Sequence, residues 1–173
     1  MRRANPRLTV TFVATLCQAN IGELPELAQL VRDRFDASLE ISLLRGEPAD
    51  ATFALPPPEA VFAALDRVER TAPGLAGRVQ RAFRTLRRQT LRQRRQVVPC
   101  LAGDLLGVVY ANGDVALCEI LPAVGNLRES SFEAIWHGER AMAQRRSIAR
   151  GACTCTHECF LWPSFVYSWK LPW

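Results

Sequence analysis

The positions of the cysteines constrain most strongly what this chain can fold into. Five of the six cysteines fall into two groups in the last seventy-odd residues of the sequence: Cys100 and Cys118, then Cys153, Cys155 and Cys159. The first two bracket a predicted hairpin, and the other three crowd into one short loop. Thiolates that are distant in sequence but lie beside tight turns can wrap a soft metal centre from two sides. The C-terminal half is therefore predicted to be a metal-binding module, most simply for an iron-sulfur cluster.

The spacing alone leaves the metal open. Four cysteine thiolates complete either a [4Fe-4S] cluster or a tetrahedral zinc site. The alternative without a metal is a set of inert buried thiols. However, the three cysteines of the rear group lie too close together in the sequence for a chance arrangement. His157 lies between two thiolate ligands and is expected to face solvent or to support the ligands rather than bind metal itself.

The N-terminal residues lack features of a secretory signal, and this indicates the expected cellular compartment. Arg2, Arg3 and the apolar residues after Leu8 imitate a secretory signal, but threonines interrupt the run and no Ala-x-Ala site follows. No apolar run approaches the roughly 20 residues of a membrane-spanning helix. We therefore expect a cytoplasmic protein without a membrane partner, in a compartment where thiols stay reduced and disulfides are disfavoured.

The N-terminal part has the pattern of an α/β fold. Residues 7–16 alternate as a strand, a helix begins near Leu24 with Pro25 in its first turn, and residues 39–43 alternate again. Strand, helix and strand over about forty residues form a βαβ unit, which requires a parallel sheet. We assign residues 1–54 to this unit and residues 55–96 to a helical linker of two helices.

One stretch of the linker accounts for the whole net positive charge of the chain. Residues 78–95 contain eight arginines and no acidic residue, whereas the formal charge of the whole chain is +5. Such a helix could bind phosphates, so a zinc module with an arginine-rich nucleic-acid-binding helix is the alternative function. The segment lacks the interleaved aromatic residues of a stacking platform, and a solvated or protein-docked face is favoured over nucleic acid.

Residues 97–173 are predicted to form a small α+β domain. Asn112-Gly113 indicates a tight β-hairpin between two apolar runs. Ser130 and Glu133 form a predicted capping box for a short helix, and a second helix follows over residues 139–149. The aromatic tail, residues 162–173, is expected to pack over the cysteine loop.

The C-terminal part contains an ordered series of motifs over about residues 97–165: Cys100, Gly103, Val108-Val109-Tyr110, Asn112-Gly113-Asp114-Val115, Cys118, Gly125-Asn126-Leu127, Ser131-Phe132-Glu133-Ala134-Ile135-Trp136 and the closing cysteine loop. This series resembles a known family, the SPASM/twitch auxiliary-cluster domain of radical SAM enzymes. It implies that Cys100, Cys118, Cys155 and Cys159 ligate a [4Fe-4S] cluster, with Cys153 as the spare candidate. Five thiols suffice for a single cluster, as in the shorter twitch form.

The resemblance also implies a role. An auxiliary cluster either binds substrate at an open iron or accepts an electron from a substrate radical, and full ligation by four cysteines favours electron transfer. Residues 7–48, with the strand exit Arg45-Gly46-Glu47-Pro48, resemble the last strand-helix-strand portion of a partial (β/α) barrel. The expected fold class is thus α/β, a barrel fragment followed by the cysteine-rich domain.

The catalytic CxxxCxxC motif of radical SAM enzymes is absent from these 173 residues. The expectation is a truncated or split enzyme, in which another chain or upstream segment supplies the missing barrel. S-adenosylmethionine then binds only in the complete parent enzyme, and a peptide is the substrate class that the family suggests. A non-functional fragment with exposed sheet edges is the third alternative.

Overall fold

A computed structural model describes residues 8, 10–44, 46, 48–69, 74–154 and 156–168. The chain divides into two compact units, Met1–Gln80 and Arg81–Trp173. The division falls inside the predicted linker, and the boundaries predicted at residues 54 and 96 remain predictions.

The first unit contains the predicted βαβ motif. Strand β1 (Thr11–Leu16) pairs in parallel with β2 (Ser38–Leu43), and helix α1 (Leu24–Phe35) connects them. The register runs from Thr11 opposite Ser38 to Leu16 opposite Leu43. The two strands form a two-stranded sheet, and the described residues contain no closed barrel. The βαβ prediction is confirmed, whereas its assignment to a partial barrel stays a prediction.

Helix α1 starts and stops where local chemistry dictates. Pro25 occupies the first turn, where its missing N–H leaves no hydrogen bond unmade. At the other end Asp36 adopts a left-handed conformation (φ 47°), and its N–H donates to the carbonyl of Arg32. One face of the helix is buried through Leu24, Ala28 and Val31. This face covers the parallel strands, as a crossover helix must.

Two helices correspond to the predicted linker. After a short 3₁₀ helix at Ala51–Phe53, α2 (Pro58–Val68) begins with a proline and buries an apolar stripe. The stripe consists of Val61, Phe62, Ala64, Leu65 and Val68. Helix α3 (Gly74–Gln93) then crosses the division between the two units. Both predicted helices are therefore present. Arg45 and Glu47 of the predicted strand exit lie outside the described residues.

The second unit is built on a small antiparallel sheet. Its strands are β3 (Val108–Val109), β4 (Asp114–Ala116) and β5 (Gly125–Asn126), in the order β3-β4-β5. Gly113 lies in the β3–β4 turn with φ 93°, a conformation that glycine adopts without strain. The Asn-Gly hairpin prediction is confirmed.

Three helices follow this sheet. Helix α4 (Phe132–Trp136) is capped by Ser131, whose hydroxyl accepts from the N–H of Ala134 at 3.2 Å. The predicted cap at Ser130 is therefore wrong by one residue, because adjacent serines satisfy the same sequence pattern. Helix α5 (Glu139–Ala149) confirms the prediction for residues 139–149. Helix α6 (Glu158–Val166) was not predicted, since the cysteines of its approach suggested a loop.

One hydrophobic cluster joins these elements. It contains Ala102, Val115, Leu117, Cys118, Val124, Ile135, Ala141, Ile148 and Phe160. Cys100, Leu106, Val108, Leu121 and Trp136 pack against it. The sheet, α4, α5 and α6 thus share a core that includes one predicted ligand and borders another.

No helix within the described ranges is long and apolar enough to cross a membrane.

Candidate metal centre

The predicted ligands differ in their exposure to solvent. Cys118 follows β4 and is buried, with 4% of its surface exposed. Cys100 and Cys153 are half-buried, and Cys159 is exposed in the first turn of α6. These four cysteines are thiols in this structure. Cys155 lies outside the described residues.

Two details of the predicted geometry are wrong. Cys100 does not lie at the end of the hairpin, because a separate turn closed by a bridge between Ala102 and Leu106 precedes β3. Cys159 lies on a helix rather than in the cysteine loop. The front pair of ligands therefore flanks two consecutive turns, and the rear group spans the entry into α6.

One contact joins the segment of Cys100 to α6. The backbone N–H of Leu101, the residue after Cys100, donates to Ser164 Oγ at 3.0 Å. The Ser164 hydroxyl donates in turn to the carbonyl of Phe160 at 2.6 Å. Ser164 is 2% exposed, so its hydroxyl needs both partners to offset the loss of water. This hydrogen-bond chain fixes the backbone beside Cys100 against the helix that carries Cys159.

A second contact joins the segment of Cys118 to the same helix. Glu119, the residue after Cys118, places Oε2 at 3.6 Å from Nε2 of His157, which precedes α6. His157 is 3% exposed, and its ring centroid lies 5.1 Å from that of Phe160. Of the two roles predicted for His157, a solvent-facing one is therefore wrong. The buried ring instead packs between the front and rear cysteine segments.

The two contacts bring the segments of the front and rear cysteines together. Within the described ranges, however, no three His, Cys, Asp or Glu side chains form a group that could hold a metal ion. The ligand set of Cys100, Cys118, Cys153, Cys155 and Cys159 therefore remains a prediction. Thiolates are the donors that iron-sulfur clusters use, and the convergence of their segments on α6 fits such a cluster.

Arg145 supports the approach to this site, and sequence reasoning missed it. Its Nε donates to the carbonyl of Gly103 at 2.6 Å, and its Nη1 donates to the carbonyl of Trp136 at 2.7 Å. The guanidinium also lies 4.8 Å from the centroid of the Trp136 ring. One side chain thus joins the turn after Cys100 to the end of α4. An arginine in a polar helix gives no sequence signal of such a role.

Asn126 connects the Gly125-Asn126-Leu127 turn to the hairpin at Asn112-Gly113 through its side-chain amide. Its Nδ2 donates to the carbonyl of Asn112 at 3.2 Å and to Asp114 Oδ1 at 2.9 Å. Its Oδ1 accepts from the N–H of Arg128 at 2.8 Å. A Cβ at Gly113 would lie 2.8 Å from that same oxygen. Hydrogen bonds from Asn126, then from Asn112, hold the pKa of the Asp114 carboxyl below its usual range.

The arginine helix also contributes to this unit. Nη1 of Arg87 lies 2.5 Å from Oε1 of Glu158, the residue before Cys159. Arg87 is 3% exposed, so the prediction of a solvated arginine face does not hold for this residue. Phe83, one turn earlier, packs its ring edge-on against Trp162 with the centroids 4.9 Å apart. The C-terminal half of α3 is thus part of the second unit rather than a bare linker.

Comparison with known proteins agrees with the cysteine pattern. Residues 100–160 match the family model of SPASM, an iron-sulfur cluster-binding domain. The match confirms the resemblance of this segment to a SPASM domain, within the range predicted from its motifs, and the links to the twitch form and to radical SAM enzymes stay predictions. No curated protein and no solved structure matches the chain significantly.

Proposed function

We propose that residues 100–160 hold a single [4Fe-4S] cluster through Cys100, Cys118, Cys155 and Cys159. Cys153 is the spare candidate, and the single cluster corresponds to the shorter twitch form. The observation that carries the proposal is that Leu101 and Glu119, the residues directly after the two front cysteines, both contact the segment that begins at His157. The family match over residues 100–160 supports the same assignment.

The surroundings of the ligands suggest how the protein would use such a cluster. Cys118 lies in the apolar core, where its neighbours exclude water from one side of the site. Cys159 is exposed and marks the side that a partner or substrate could approach. When bound, a cluster with four cysteine ligands supplies one-electron transfer and leaves no iron open to substrate. We therefore favour electron transfer over substrate binding.

The wider role is part of the same proposal. These 173 residues contain no CxxxCxxC motif, so a radical SAM centre that works with this domain would be on another segment or another chain. S-adenosylmethionine would bind there, and a peptide is the substrate class that we propose. We place the protein in the cytoplasm, where its thiols would remain reduced.

Anaerobic reconstitution of the full chain with iron and sulfide tests the cluster assignment. We expect a brown protein whose visible absorbance bleaches with dithionite. A colourless product that contains stoichiometric zinc would contradict the proposal and favour the zinc alternative.

A pair of variants locates the ligands. Cys118→Ser should lose nearly all bound iron, because serine is a poor substitute for a thiolate. Cys17→Ser is the matched control: this cysteine is also buried, at 6% exposure, but it lies at the end of β1 in the first unit. It should retain the wild-type iron content. Equal iron loss in both variants would show that the loss reflects general misfolding.

A further inference from the structure

Arg87 differs from the other arginines of its helix. Helix α3, which the structure describes throughout, contains six arginines, and Arg87 alone is buried. Transfer of a guanidinium out of water costs free energy, and an ion pair with a carboxylate often does no more than offset that cost. An apolar residue of similar size would fill the same space at lower cost. Burial of this charge therefore calls for an explanation beyond packing.

The position of its partner supplies one. Glu158 directly precedes the predicted ligand Cys159, and consecutive Cα atoms are only about 3.8 Å apart. Glu158 is also in the first turn of α6, where a helix dipole favours a negative charge. The carboxylate of the ion pair thus belongs to the residue next to Cys159 in α6. The cation is the more buried partner, since the Arg87 side chain is 4% exposed and the Glu158 side chain 33%.

Charges close to a cluster influence its redox equilibrium. Reduction adds a negative charge to a centre that is already anionic through its thiolates. A buried cation nearby stabilises the reduced form and raises the reduction potential, while a carboxylate lowers it. Because α3 and α6 hold the pair in place, the two influences nearly cancel in the native protein.

We propose that Arg87 and Glu158 form a charge pair that positions the Cys159 segment and balances two opposite influences on the reduction potential of the bound cluster. Arg87 raises the potential, and Glu158 lowers it. This inference rests on the proposed cluster-binding function and extends it to two residues outside the ligand set.

Redox titration of the reconstituted full chain distinguishes an influence on the reduction potential from a purely structural role of the pair. Arg87→Gln removes the positive charge of the pair, so the midpoint potential should shift to a more negative value. Glu158→Gln removes the negative charge of the pair and should shift the potential to a more positive value. The double variant should return close to the wild type. Arg81→Gln, on an exposed part of α3, is the control and should leave the potential unchanged.

The outcomes distinguish the two proposals. Shifts in the same direction for Arg87→Gln and Glu158→Gln, or no shift in either while both retain the cluster, would overturn the inference. If Arg87→Gln fails to hold a cluster, Glu158→Gln decides alone: a positive shift supports the inference, and a negative or absent shift overturns it. A wild-type chain that takes up no iron and sulfide would overturn the proposed function, and the inference with it.

Discussion

The two compact units reach their structures by different means. The first relies on regular elements: two six-residue strands in parallel register and helices that bury continuous apolar stripes. The second has strands of two or three residues, and polar side chains join its turns and short helices. Arg145, Asn126 and Ser164 all bond to backbone groups of other segments. Its short strands supply few regular hydrogen bonds, so the sheet and turns of the second unit depend more on individual side chains.

This difference suggests where a bound cluster would matter. A metal centre that forms only in the folded state adds its binding free energy to folding stability. The second unit, which contains all the predicted ligands, would gain from such a contribution, whereas the first unit contains none of them. The following substitutions test this contrast, from the largest expected effect to the smallest.

The first unit should be sensitive to loss of apolar volume. Leu16 is fully buried at the end of β1, and Leu16→Ala should lower the free energy of unfolding by about 4 kcal/mol. Val13→Ala, in the same strand at 65% exposure, should cost less than about 1 kcal/mol. Urea unfolding of the full chain, followed by circular dichroism, measures both. Equal costs would contradict the assignment of this core.

The second unit should be sensitive to loss of a single polar side chain. Arg145→Ala removes two hydrogen bonds to carbonyl groups and the contact with the Trp136 ring, so we expect a cost of about 3 kcal/mol. Tryptophan fluorescence during urea unfolding reports the change, because all four tryptophans of the sequence fall within residues 81–173, the range of the second unit. Arg146→Ala, at the exposed next position, is the control and should cost less than about 0.5 kcal/mol. If Arg146→Ala lowered the free energy of unfolding as much as Arg145→Ala, the loss would come from α5 as a helix and not from the carbonyl contacts of Arg145.

The same contrast between the two units appears in how much of each can be predicted from the sequence. The strand and helix periods of residues 11–43 predict the βαβ motif, because each element repeats its apolar residues over enough positions to be recognised. The hairpin is predicted because Asn-Gly is a local turn signal. Helix α6 is missed, since its nine residues are apolar almost throughout and show no face. The ion pair of Arg87 with Glu158 joins positions far apart in sequence, and no local pattern marks such contacts.

The turn of the small sheet provides a finer test. Asn126→Ala removes the donor to Asn112 and the acceptor of the Arg128 N–H, which should cost about 1–2 kcal/mol. Amide hydrogen exchange should show faster exchange in residues 110–116, with α2 unaffected. Uniform acceleration across both units would contradict the local role of Asn126.

The smallest expected effect is a change in stability at acidic pH. The lowered pKa of Asp114 means that its ionised form stabilises the fold at pH values above the usual aspartate value of 3.8. That contribution is lost as the pH falls through the lowered folded-state pKa. Asp114→Asn should therefore show a slightly weaker decline of urea stability below about pH 4 than the wild type. Identical acid profiles would refute a stabilising role of this carboxylate.

The central claim is that cysteines from both groups enclose one iron-sulfur centre, and Mössbauer spectroscopy of the chain reconstituted with enriched iron tests it most directly. The account predicts the spectrum of a [4Fe-4S] cluster, with about four irons and four sulfides per chain. A spectrum of isolated high-spin iron, with no sulfide bound, would contradict it.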